Sequence, residues 1–102
     1  MMTIVSLVTL KQGSEPEWDA AMRERFAAAK SVSGWKGGQI CMPTDRLDQR
    51  LIVGTWETRA HWEAWRGDPA FAETRERLEG LQDEPADVRW HQIILDESPE
   101  QP

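Results

Sequence analysis

The 102-residue chain contains no tyrosine and a single cysteine. One thiol cannot close an internal disulfide, so nothing in the sequence asks for an oxidising compartment. Basic residues are scarce as well: 12 Lys and Arg stand against 18 Asp and Glu, a net charge of -6. Nucleic acid and anionic membrane surfaces select a basic face, and both are excluded as expected partners. The apolar run from Ile4 to Leu10 is too short to span a bilayer and lacks the basic leader and cleavage pattern of a signal peptide. A cytoplasmic location is the expectation. Gly-rich phosphate loops, dinucleotide fingerprints and nucleophile elbows are missing, which leaves nicotinamide or flavin binding by those routes unsupported. His61, His91 and Cys41 lack metal-ligand spacing, so no metal is expected, and Cys41 reads as an inert buried thiol in a strand.

Six Trp and two Phe are present. So many flat side chains in a small chain imply either a crowded core or a pocket for a flat apolar ligand. Thr3 to Leu10 is β-branched and reads as a strand. Ser14-Glu15-Pro16-Glu17 has the spacing of a capping box and starts a helix. Trp18, Ala21, Met22, Phe26 and Ala29 form its apolar stripe, and Gly34 stops it or ends the turn that follows. Trp35 to Met42 and Arg50 to Trp56 read as a hairpin whose first strand carries a Gly37-Gly38 bulge signal. Thr58 caps a short helix to about Trp65; Gly67-Asp68-Pro69 breaks it and starts another, which turns Phe71, Thr74 or Arg75, Leu78 and Leu81 inward. Val88 to Leu95 is the last strand. Residues 1–96 are thus expected to form one domain, and 97–102 a disordered tail.

The order β-α-β-β-α-β predicts an α+β, ferredoxin-like subunit: an antiparallel sheet with both helices on one face. Yet Ile4-Val5, Leu7-Val8, Ile52-Val53 and Ile93-Ile94-Leu95 place apolar side chains on both faces. Helices on one side cover only one of them. A second copy, sheet against sheet, is the simplest cover, which predicts a homodimer burying about 2,000 Å² or more.

Chemistry-bearing residues concentrate between Trp56 and Trp65. His61 and Trp65 are four apart on one helical face, with Trp62 about a quarter-turn away. Arg75 falls on the stripe of Phe71 and Leu78, where a cation needs a counter-charge or a cavity. It either pairs with a carboxylate such as Glu79 or reaches solvent, or it faces a cavity and holds an anionic oxygen. His61 titrates in the range useful to a base, but also suits a hydrogen-bonded place at a pocket rim. His91 and Trp90 point to opposite faces of the last strand.

The first strand, the run Trp56-Glu57-Thr58 with Trp62 and Trp65, and Asp68-Pro69-Ala70-Phe71 resemble the antibiotic biosynthesis monooxygenase domain family over roughly residues 3 to 95. The resemblance implies a dimeric α+β barrel of ferredoxin-like subunits. It also implies oxidation of flat, hydrophobic phenolic or enolisable metabolites by O2 with no cofactor, the deprotonated substrate itself reducing O2. Trp65 matches the pocket Trp of such enzymes, and His61 stands where Asn is familiar. By that likeness His61 would act as base, Arg75 as anion clamp and Trp65 as stacking wall. Ser6, Trp35, Trp62, Phe71 and His91 are candidate substrate contacts. A haem-degrading branch uses an Asn on the first strand and a His on the last helix; Ser6 and Arg75 stand at about those positions. A non-catalytic binding or dimerisation module is the rival from another class.

Overall fold

A computed structural model describes residues 1–99 of the chain. Its elements are β1 (Met2–Thr9), α1 (Glu15–Ala29), β2 (Trp35–Cys41), β3 (Gln49–Trp56), α2 (Arg59–Arg66), α3 (Pro69–Gly80) and β4 (Asp87–Gln92). The four strands make one antiparallel sheet in the order β2-β3-β1-β4, the ferredoxin-like arrangement. No helix among the described residues is long and apolar enough to cross a membrane.

Register decides which side chains meet the helices. Ile4 lies opposite Gly54 and Trp90, Ser6 opposite Ile52 and Val88, and Val8 opposite Arg50. These residues face the helices. Val5, Leu7, Leu51 and Val53 point to the other side, where Leu7 is exposed and the other three are half-buried. The two-sided apolar pattern is therefore real at the centre of the sheet.

Two cores fill the helix side. Val8, Leu10, Trp18, Ala21, Met22 and Leu78 make one; Ile4, Ala29, Trp56 and Trp65 make the other, with Trp35, Trp62, Phe71 and Trp90 packed against it. Burying Trp18 completely contributes on the order of 4–6 kcal/mol of transfer free energy before entropy is counted. Arg50 is a buried cation on the inner face. Its guanidinium forks onto Asp19 of α1 at 2.9 and 3.1 Å and donates to the carbonyls of Leu47 and Gln49. The Asp19 carboxylate raises the Arg50 pKa above its usual value, against the effect of burial.

Several local expectations are corrected. Ser14 is the N-cap of α1, but its hydroxyl donates to the carbonyls of Lys11 and Leu81 instead of accepting from the helix, so no capping box forms. The hydroxyl ties the start of α1 to the end of α3, a tertiary demand that outranks the local one. Strand β4 stops at Gln92 rather than Leu95, because its register with β1 runs out at Met2; just past it the Ile93 amide donates to the Met1 carbonyl at 3.2 Å. Ile94 and Leu95 lie exposed past the sheet. Cys41 is exposed, not buried, at the end of edge strand β2. Of the expected tail, 97–99 carry no helix or strand and 100–102 lie outside the described residues.

Other signals hold. Thr58 accepts from the His61 amide and Asp68 from the Ala70 amide, capping α2 and α3. The β2–β3 register shifts between Trp35 and Gly37. At Gly38 a Cβ would run into the Val53 carbonyl and press on the Phe26 ring, so the strand approaches α1 only because no side chain intervenes.

Candidate active site

A cavity of about 740 Å³ opens between the inner face of the sheet and the three helices. This is within the range of small-molecule sites. Its floor comes from β1 and β3 (Ile4, Ser6, Val8, Ile52, Gly54), and its walls include Phe26, Trp35, Trp56, Trp62, Trp65 and Phe71. Gly54 leaves the floor flat beneath Trp56. Trp56 and Trp65 lie 6.5 Å apart with rings tilted by 31°, while Phe71 meets Trp65 edge-on at 5.7 Å. Trp62 is set by Trp90, perpendicular to it at 4.6 Å. Most wall residues of this half belong to the second core, so the same packing that closes the core leaves indole faces along the void.

Charge in the cavity is carried by guanidinium groups. Arg25 of α1 is half-buried: its Nε donates to Thr74 Oγ1 at 2.9 Å and its Nη2 to the Phe71 carbonyl at 3.3 Å, and its guanidinium lies 3.9 Å over the Phe71 ring. Burial, followed by repulsion from Arg66, pushes its pKa down to about 10, with Glu79 opposing. It is fully charged at neutral pH. Arg66, at the end of α2, stands 5.0 Å over Trp62 and 5.8 Å over Phe71 and is exposed. Among the described residues neither arginine has a carboxylate within ion-pair distance. The lining carboxylates are Glu79, Asp83 and Glu84, the last two on the α3–β4 connection.

Of the residues singled out in the sequence, Ser6, Trp35, Trp62, Trp65 and Phe71 line this one void. Arg75 lines it too, but as an exposed side chain paired with Glu79 at 3.3 Å; Thr74 takes the buried place on the α3 stripe. Of the two readings of Arg75, the pair with Glu79 forms; the half-buried guanidinium at the cavity is that of Arg25.

His61 is outside the lining. Helix α2 turns Trp62 and Trp65 to the sheet and leaves the His61 ring against Gly34, with Nδ1 2.7 Å from Thr58 Oγ1. The expected stacking of His61 with Trp65 at one pocket therefore does not occur. His91 is exposed on the opposite face of the sheet, paired with Thr3, and does not reach the cavity.

Arg25 was legible as a gap: positions 21, 22, 26 and 29 are apolar, and position 25 falls among them at helical spacing. No three His, Cys, Asp or Glu side chains come together as a metal-binding group among the described residues.

An aromatic cavity roofed by helices over one face of a ferredoxin-like sheet defines the class: an α+β protein with a void of small-molecule size. The sequence pattern of the family described as antibiotic biosynthesis monooxygenase matches residues 1–77, and the chain belongs to that family. By sequence, no curated protein matches it. Solved structures agree in fold. A Nitrosomonas europaea protein ascribed to the antibiotic biosynthesis monooxygenases superposes with a TM-score of 0.87 at 14% identity, covering 93% of this chain and 100% of that one. A variant of SnoaB, a cofactor-independent oxygenase from Streptomyces nogalater, gives 0.84 at 15% identity, with 97% of each chain covered. A conserved protein from Methanosarcina mazei gives 0.85 at 10% identity, covering 89% and 90%. At these identities the likeness is one of fold.

Proposed function

We propose that the protein is a cofactor-independent monooxygenase acting on a flat, hydrophobic, phenolic or enolisable metabolite. The carrying observation is the void of about 740 Å³ walled by Trp35, Trp56, Trp62, Trp65, Phe26 and Phe71 with the Arg25 guanidinium at its side. Trp65 and Trp62 stack the ring system. Arg25 favours the oxyanion of the substrate, because a fixed cation in an apolar cavity lowers the cost of forming a negative charge there. With His61 turned away, the positive field does the acidifying, and the proton leaves to water at the open side.

The enolate then transfers electrons to O2 and forms a carbon-bound hydroperoxide. Loss of water turns the CH2 of the substrate into a carbonyl: one oxygen atom enters the product and the other leaves as water. The chain's residues supply orientation, anion stabilisation and a dry enclosure. The lining contains no imidazole, thiolate or phenolate to hold haem iron, which sets this reading above a haem-degrading one.

The same reading includes a homodimer. Val5, Leu7, Leu51 and Val53 form an apolar strip on the uncovered face of the sheet, and Ile94 and Leu95 extend beyond it. A second copy would cover them.

Oxygen consumption with 1,8-dihydroxyanthrone as probe tests the activity. The expected result is one O2 per substrate, with Trp65→Phe and Arg25→Met each lowering the rate by tenfold or more, on the order of what one positioned group supplies. His61→Ala is expected to keep most of it. Tight binding of the probe without O2 uptake would make the protein a binding module instead.

A further inference from the structure

Three guanidinium groups line the cavity, those of Arg25, Arg66 and Arg75, beside the carboxylates of Glu79, Asp83 and Glu84. Arg25, hydrogen-bonded to Thr74 and to the Phe71 carbonyl, is the inner guanidinium. Arg75 is already matched by Glu79. That leaves Arg66, whose surroundings differ from those of an ordinary surface arginine. The Arg66 guanidinium carbon stands over the Trp62 ring at 5.0 Å and the Phe71 ring at 5.8 Å. Among the described residues it has no carboxylate within ion-pair distance. A guanidinium held beside aromatic rings and left without a counter-charge suits a planar, two-oxygen anion. Arg66 is exposed, so a permanently charged group bound there stays near water while an attached ring system enters between the indoles. The protein as a whole carries a charge of -6, so an unpaired cation at a cavity mouth is not explained by general surface composition.

We propose that Arg66 binds a carboxylate substituent of the substrate at the mouth of the cavity, while Arg25 serves the oxyanion formed within. The substrate class is therefore a flat aromatic carboxylic acid, not a neutral polycycle. This rests on the reading of the cavity as the site for a flat aromatic molecule.

Isothermal titration of the full chain with anthraquinone-2-carboxylate, anthraquinone-2-sulfonate and the neutral 2-(hydroxymethyl)anthraquinone tests it. The carboxylate should bind about fivefold more tightly than the neutral compound, the size of a favourable partly exposed ion pair. That preference should exceed the one for sulfonate, whose three oxygens match the planar fork less well. Arg66→Gln should abolish the preference, bringing acid and alcohol to equal affinity. Arg59→Gln, which removes a like charge from the same helix outside the cavity, should preserve it. Equal affinities for acid and alcohol, or a preference that survives Arg66→Gln or disappears with Arg59→Gln, overturn the assignment while leaving the aromatic site intact. Failure of all three compounds to bind the wild-type chain would remove the aromatic-site reading itself, and this one with it.

Discussion

Gly34 tests the whole placement of His61. Its φ of +87° is left-handed, and a Cβ there would collide with Cβ, Cγ and Cδ2 of His61. Gly34 is also held in place, since its carbonyl accepts from the Glu57 amide at 2.7 Å. Gly34→Ala therefore carries two costs. The left-handed backbone contributes about 1–2 kcal/mol, whatever surrounds it. The collision adds about 1–3 kcal/mol, typical of forcing a group into filled space. Only the second cost depends on His61. Because the His61 Cβ is itself in the way, the relieving change is His61→Gly and not Ala; its own helix penalty of about 0.5–1 kcal/mol cancels in a double-mutant cycle. Urea denaturation of the four proteins at one fixed protomer concentration measures the coupling. The expected interaction is about 1–3 kcal/mol, each kcal/mol moving Tm by about 4–8 °C in a domain of this size. If Gly34→Ala costs the same in both backgrounds, the imidazole is not seated on Gly34. It would then be free to swing toward the cavity, and the assignment of acidification to Arg25 would fail.

Other tests bear on single features. Asp19→Asn strips the counter-charge from Arg50, whose side chain is 8% exposed; Asp19 is 31% exposed, so the loss should be about 2 kcal/mol, below the range for a fully buried pair. A change under 0.5 kcal/mol in denaturant melts would show that the two carbonyls alone satisfy the guanidinium. Arg75→Gln should alter stability by less than about 0.5 kcal/mol, since its pair with Glu79 is solvent-exposed. A large loss in the same melts would give Arg75 a buried role. Val53→Asp, in the middle of the uncovered sheet face, should convert a dimer to a monomer in light scattering; a wild-type protein that is already monomeric at micromolar concentration refutes the sheet-to-sheet pairing.

Most of the fold was legible because its signals are local. The Thr58 and Asp68 caps, the Gly34 turn after α1 and the Gly37-Gly38 bulge each depend on a few neighbouring residues, and each forms. Where reading along the chain failed, a distant partner decided. The Ser14 hydroxyl is claimed by the Leu81 carbonyl, 67 positions away, and β4 ends where β1 begins. The site divides in the same way. Trp62, Trp65 and Phe71 line the cavity because large aromatics on an amphipathic helix almost always point inward. Arginine carries no such rule. Its long stem lets the charge leave the stripe or curl under it, so of two arginines at stripe positions Arg25 stays under its helix while Arg75 turns out to Glu79.

The indole clusters also give the protein an unusual optical anatomy. With no tyrosine present, near-ultraviolet absorption and emission belong almost wholly to Trp. Five of the six indoles gather in the half of the core built around Ile4 and Ala29, and Trp18 is the one indole of the other half. Excitation is therefore shared between the close pairs Trp62–Trp90 and Trp56–Trp65, while Trp18 shines as an isolated lamp. Replacing Trp18 by Phe would leave a spectrum reporting on the end of the molecule that holds the other five indoles.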